Sequence, residues 1–156
     1  MRRALIVTDV QNDFCEGGSL PVPGGARVAA DIGALLRSWV AQGPDAPTYR
    51  YAVATKDHHV DPGDHWSPDP DYAESWPVHC RVGTDGEAFH PNLDPQPFDA
   101  IFLKGEHAAA YSGFEGRTVD GHERRARSGQ RPRARAQSQA GAKGQARTAS
   151  PQTQAS

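Results

Sequence analysis

Three short apolar runs, each ending on a charged residue, constrain this chain more than any other feature. Ala4-Leu5-Ile6-Val7-Thr8 runs into Asp9, Tyr51-Ala52-Val53-Ala54-Thr55 runs into Lys56 and Asp57, and Ala100-Ile101-Phe102-Leu103 runs into Lys104. Runs of four or five apolar residues with β-branched members read as strands. Between the first two, residues 26–42 carry Val28, Ile32, Leu35, Leu36, Trp39 and Val40 at spacings of three and four, which predicts a helix with one apolar face, stopped by Gly43-Pro44. Strand, helix and strand in that order predict an α/β fold on a doubly wound parallel sheet. Ligands of open parallel sheets sit outside the carboxyl ends of the strands. Asp9, Asp57 and Lys104 would then meet in one crevice.

The 156 residues amount to about one domain. The net charge of −2 conceals a split. Residues 121–156 hold seven arginines and Lys143 against Glu123, a net +7, which leaves −9 on residues 1–120. Residues 121–156 also lack Val, Ile, Leu, Met, Phe, Trp, Tyr and Cys. Such a stretch buries too little apolar surface to offset its ordering entropy, which predicts a disordered basic tail after a folded part spanning residues 1–120. Residues 57–97 form a long loop rich in Pro, Gly, Asp and His, and its Trp66, Trp76 and Phe89 argue for an ordered, functional loop. No apolar stretch approaches the roughly 18 residues of a membrane span. The start, Met1-Arg2-Arg3, shows no signal peptide pattern. Two cysteines, Cys15 and Cys80, make no disulfide framework, so a reducing cytoplasm is the simpler location.

Asp57 and His59 lie two apart on extended backbone and point the same way. With His65 and His79 they offer one carboxylate and three imidazoles, a donor set for zinc, iron, manganese or cobalt. Four histidines simply solvated in a polar loop are the plainer alternative. Asp9 suits a general acid or base, or else a turn. Lys104 suits stabilisation of a thiolate or oxyanion, or else a solvated strand end. Phe14, Trp76 and Tyr111 suit an aromatic slot or ordinary packing. Cys15 and Cys80 stand at no strand-to-helix turn and read as inert thiols.

Four blocks in order carry a resemblance. Asp9-Val10-Gln11-Asn12-Asp13-Phe14-Cys15-Glu16-Gly17-Gly18-Ser19-Leu20 resembles the opening motif of bacterial nicotinamidases, members of the isochorismatase-like hydrolase family. Ala54-Thr55-Lys56-Asp57-His58-His59 with Asp61-Pro62-Gly63-Asp64-His65 resembles their metal segment. Ser75-Trp76-Pro77-Val78-His79-Cys80 and Lys104-Gly105 with Ala110-Tyr111-Ser112-Gly113-Phe114 resemble the later blocks. The match covers roughly residues 1–121. It implies a catalytic Asp9 and Lys104, one divalent metal ion (zinc, iron or manganese) on Asp57, His59, His65 and His79, and Phe14 and Trp76 around a pyridine ring. In the family a cysteine thiolate attacks nicotinamide, ammonia leaves, and water releases nicotinate from the thioester, which splits one hard step into two.

The departure is as informative as the match. The family's nucleophile follows the lysine block, and here no cysteine follows Cys80. After Tyr111-Ser112-Gly113-Phe114-Glu115-Gly116 the text turns to Arg, Ala, Gln and Gly, the composition of a GC-rich gene read out of frame. The expectation is a C-terminally truncated or frameshifted chain with an exposed sheet edge, low stability and no useful turnover. Other readings are a hydrolase of another small amide or of an isochorismate-like molecule, and a non-catalytic protein whose basic tail binds nucleic acid. The metal ligands weigh against the first, and a tail without aromatic residues weighs against the second.

Overall fold

A computed structural model describes residues 3–43 and 48–119. The elements are β1 (Ala4–Thr8), α1 (Gly25–Ala41), β2 (Tyr51–Asp57), β3 (Ala100–Lys104) and β4 (Arg117–Thr118), with single 3-10 turns at Asn12–Phe14, Gly63–His65, Asp85–Glu87 and Gly113–Glu115. The sheet order is β1-β2-β3-β4. The first three strands are parallel, and β4 closes antiparallel on β3. The α/β class and parallel sheet expected from the sequence are therefore observed. β4 has no sequence signature, because a two-residue Arg-Thr strand carries no apolar run. The expected tail at residues 121–156 lies outside the described residues.

The core sits between the sheet and α1. It comprises Val7, Val10, Ala29, Leu36, Trp39, Ala52, Ala54 and Leu93, with Leu5, Ile32, Tyr49, Phe89, Phe98 and Ile101 packed around it. Small residues at the centre of β2 let the helix approach closely. The buried row of α1 is Ala29, Gly33, Leu36 and Trp39. This corrects the expected stripe, because Val28, Leu35 and Val40 stay largely exposed. The helix is turned by its contact with the Asn92–Asp94 loop, where a Cβ on Gly33 would lie 2.6 Å from the Asn92 carbonyl oxygen.

The N-terminus of α1 is capped from a distance. The Glu16 carboxylate accepts from the N–H groups of Gly24 (2.5 Å) and Ala26 (2.9 Å). Those N–H donors hold the Glu16 carboxyl below its ordinary range, and a negative charge there also suits the helix dipole. The loop after β1 is thus tied to α1, which fixes its course past the strand ends. On the sheet face opposite α1, Ile6 is 56% exposed, and among the described residues no α-helix covers it. Parallel sheets are normally buried on both faces. None of the described helices is long and apolar enough to cross a membrane.

Candidate functional site

The parallel register does most of the assembly. Asp57 on β2 stands directly beside Lys104 on β3, and Thr8, which precedes Asp9, pairs with Thr55. Lys104 Nζ donates to Asp57 Oδ1 and lies 3.1 Å from Asp9 Oδ2. It also reaches the Ala110 carbonyl oxygen at 3.3 Å. Burial alone would depress the Lys104 ammonium, but the Asp57 and Asp9 carboxylates outweigh it and hold its pKa above the ordinary value. Thr55 Oγ1 donates to Asp9 Oδ1 at 2.6 Å. Asp9 has φ +52°, a left-handed conformation that turns the chain sharply off β1 and one that Asp tolerates better than most residues.

The second oxygen of Asp57 faces two histidines of a cluster of three. Asp57 Oδ2 is 3.7 Å from His59 Nε2 and 3.8 Å from His79 Nε2. The rings of His59, His65 and His79 stand 4.9 to 5.3 Å apart, and one nitrogen of each lies within 4.8 Å of the others. All three are buried. His59 Nδ1 meets the Gly105 carbonyl oxygen at 2.5 Å, and His79 Nδ1 meets that of Pro77 at 2.8 Å. A carbonyl only accepts, so each Nδ1 carries a proton, which in the neutral ring leaves the lone pair on Nε2. His59 Nε2 and His65 Nδ1 are buried with no hydrogen-bond partner. Buried polar atoms are almost always satisfied. Unpartnered buried imidazole nitrogens in a three-histidine cluster beside a carboxylate are a donor set that fits a divalent transition metal.

Electrostatics favour the ligating forms. Burial depresses the pKa of His65 and of His79 and keeps both rings neutral, as ligation requires. Burial pushes the Asp57 carboxyl upward, but its neighbours, the Lys104 ammonium among them, outweigh burial and hold it below the ordinary range.

Aromatic rings rim the cluster. Phe14 lies 5.6 Å from the His79 ring, Tyr111 lies 5.7 Å from His65, and Trp76 Nε1 donates to the Tyr111 hydroxyl at 3.4 Å. The structure thus brings all nine residues singled out in the sequence to one end of the sheet. A separate cavity of about 590 Å³, lined by Asn12, Asp13, Glu16, Gly18, Asp85 and Phe89 among others, contains none of them.

The two thiols are elsewhere in character. Cys15 and Cys80 are free and buried. Burial, reinforced by neighbouring carboxylates, raises both thiol pKa values, that of Cys80 far above the ordinary range. Neither has the cationic, accessible setting of a nucleophile.

Supporting residues escaped the sequence reading. The Asp13 carboxylate accepts from Cys80 N–H at 2.7 Å and Ser19 N–H at 3.1 Å, which ties the residue after His79 to the first loop. Gly86 leaves room for that carboxylate, since a Cβ there would overlap it. The Trp66 ring packs edge-on at 5.7 Å against His59. Each is an isolated residue in a loop, with no periodic or spacing signal to betray it.

Residues 3–125 match the isochorismatase domain. The chain belongs to the isochorismatase family. Within the family it is 55% identical over 119 residues to a protein of Mycobacterium tuberculosis named nicotinamidase/pyrazinamidase, a match that covers 76% of this chain and 60% of that protein. Among solved structures it resembles the zinc complex of a Pyrococcus horikoshii pyrazinamidase, with TM-score 0.57 and 32% identity over 76% of this chain and 60% of the other. It also resembles PnC1 of L. infantum in complex with nicotinate, with TM-score 0.56 and 31% identity over 78% and 56% of the two chains. The chain spans about 60% of the length of the M. tuberculosis relative.

Proposed function

We propose that this chain is a nicotinamidase-type amidohydrolase by descent, directed at a small-molecule amide, nicotinamide or a close analogue, and that neither Cys15 nor Cys80 is a competent nucleophile. The convergence of Asp57, His59, His65 and His79, with unpartnered buried nitrogens at its centre, carries the reading. The 55% identity to the M. tuberculosis protein and the likeness to zinc and nicotinate complexes of relatives support it.

In this reading those four residues hold one divalent ion: zinc, iron or manganese. The ion, when bound, offers a coordination position for a pyridine nitrogen. Phe14, Trp76 and Tyr111 flank the ring. Asp9, hydrogen-bonded by Thr55 and the more accessible of the two carboxylates on Lys104, holds or moves the proton at Oδ2. Lys104 keeps its charge and stabilises negative charge arising beside it. Both cysteines are shielded by burial, so covalent attack has no thiolate to draw on. Binding and polarisation alone leave only a residue of rate. A cytoplasmic setting, where both thiols stay reduced, completes the reading.

The test is metal analysis together with ammonia release from nicotinamide. The expected result is one divalent ion per chain and no ammonia above a metal-only control. Turnover well above that control would overturn the claim about the nucleophile. Failure of Asp57→Ala or His59→Ala to lower metal content would overturn the site.

A further inference from the structure

Gln11 is fully buried in a loop, and every hydrogen bond its side chain makes goes to backbone. Its Nε2 donates to the carbonyl oxygens of Asp57 (2.8 Å) and Glu87 (2.9 Å), and its Oε1 accepts from Asp57 N–H (2.8 Å). The location explains why. β1 stops pairing at Thr8 opposite Thr55, but β2 continues to Asp57. In a parallel sheet the backbone groups of alternate residues face the same neighbouring strand. Thr55 presents its carbonyl to Asp9 N–H on the β1 side, while His58 N–H reaches Lys104 on the β3 side. The N–H and C=O of Asp57 therefore face the place where β1 has already turned away. The Gln11 carboxamide fills that place and makes both rungs a strand would have made.

We propose that Gln11 is a positioning residue: its carboxamide replaces the absent strand neighbour and fixes the Asp57 backbone, so that one carboxylate oxygen meets Lys104 while the other faces His59 and His79. The inference rests on the metal reading above. Asp57 must satisfy two partners on opposite sides, and a drift of its Cα would forfeit one of them. Two of the three bonds go to Asp57 and the third to the Glu87 carbonyl, so removing the carboxamide orphans both Asp57 backbone groups as well as that carbonyl, which costs more than the bonds are worth when made. Outer partners of metal ligands typically affect affinity by about 10–100-fold.

The experiment titrates Co²⁺ into the full chain and follows its visible d–d absorption, for the unsubstituted protein, Gln11→Glu and Gln11→Asn, each also in an Asp57→Asn background. Glu keeps the acceptor but removes the donors, and Asn keeps the amide but withdraws it by one methylene. The expected result is Co²⁺ affinity about 10–100-fold weaker and an altered band shape for both variants. With Asp57→Asn already present, the same changes should shift affinity by less than about threefold, because the effect passes through that carboxylate. A loss of equal size in both backgrounds would mark a general structural role and overturn the proposal, as would unchanged affinity and spectrum. If both Gln11 variants fail to fold while Asp57→Asn folds, the residue serves the fold and the proposal also falls. Absence of Co²⁺ binding by the unsubstituted chain would instead remove the metal reading itself.

Discussion

Replacing Gly105 by alanine should be among the most damaging single-methyl changes in this chain. Gly105 has φ +75°, in the left-handed region. A residue with a side chain there costs about 1–2 kcal/mol. The added Cβ would also stand 2.7 Å from His59 Nδ1 and closer still to its Cε1. The His59 ring has nowhere to retreat, because it is buried against His65, His79 and Trp66. Overpacking of that kind costs a further 1–3 kcal/mol, roughly. The sum, about 2–5 kcal/mol, is a large share of the 5–15 kcal/mol available to a typical domain. At about 3–6 °C per kcal/mol, between the values for domains of about 100 and about 150 residues, Tm should fall by at least about 6 °C in thermal melts followed by circular dichroism. Gly83→Ala is the control: φ is +80°, yet nothing lies within 4 Å of the added carbon. It should show the conformational cost alone. Equal losses for the two substitutions would refute the crowding argument and, with it, the rigid placement of His59.

Leu36→Ala removes a fully buried side chain from the α1–sheet core, so a loss of about 2–5 kcal/mol is expected in denaturant melts. Iodoacetamide at pH 8 should label neither Cys15 nor Cys80 until denaturant is added, which mass spectrometry would register; rapid native labelling of either would contradict their shielding. The same raised thiol pKa values set a pH dependence. Folded thiols hold their protons beyond the unfolded value of about 8.5, so the stability they contribute is present below that pH and is lost as pH rises through it. Tm should therefore decline between about pH 8 and 10, less steeply in a Cys15→Ala/Cys80→Ala variant.

Much of the site was legible before any coordinates because its residues follow strands. A strand end is visible as the end of an apolar run, so Asp9, Asp57 and Lys104 could be placed at one rim from order alone. His59 followed from the two-residue period of extended backbone. His65, His79, Phe14, Trp76 and Tyr111 were named from loop composition and from the family likeness, since no periodicity governs a loop. The helix was visible too, but its buried row was not. The stripe of Val28, Leu35 and Val40 gave way to Ala29 and Gly33, because small residues allow the closest approach and only the neighbouring loop decides which side is approached.

By itself, the amino-acid order determined the three parallel strands, the helix, the parallel connection and the inventory of acids, imidazoles and one ammonium available at the carboxyl rim. Tertiary structure alone decided how they are joined: that Lys104 sits between Asp9 and Asp57, that His59 and His79 turn Nε2 toward Asp57, that Gln11 occupies the gap left by β1, and that both thiols are enclosed. The division has a physical cause. Periodic burial is a local property and leaves its mark on neighbouring residues. A hydrogen bond between residues 46 apart, such as Gln11 to Asp57, leaves no such mark, because its partners meet only after the sheet has set the register.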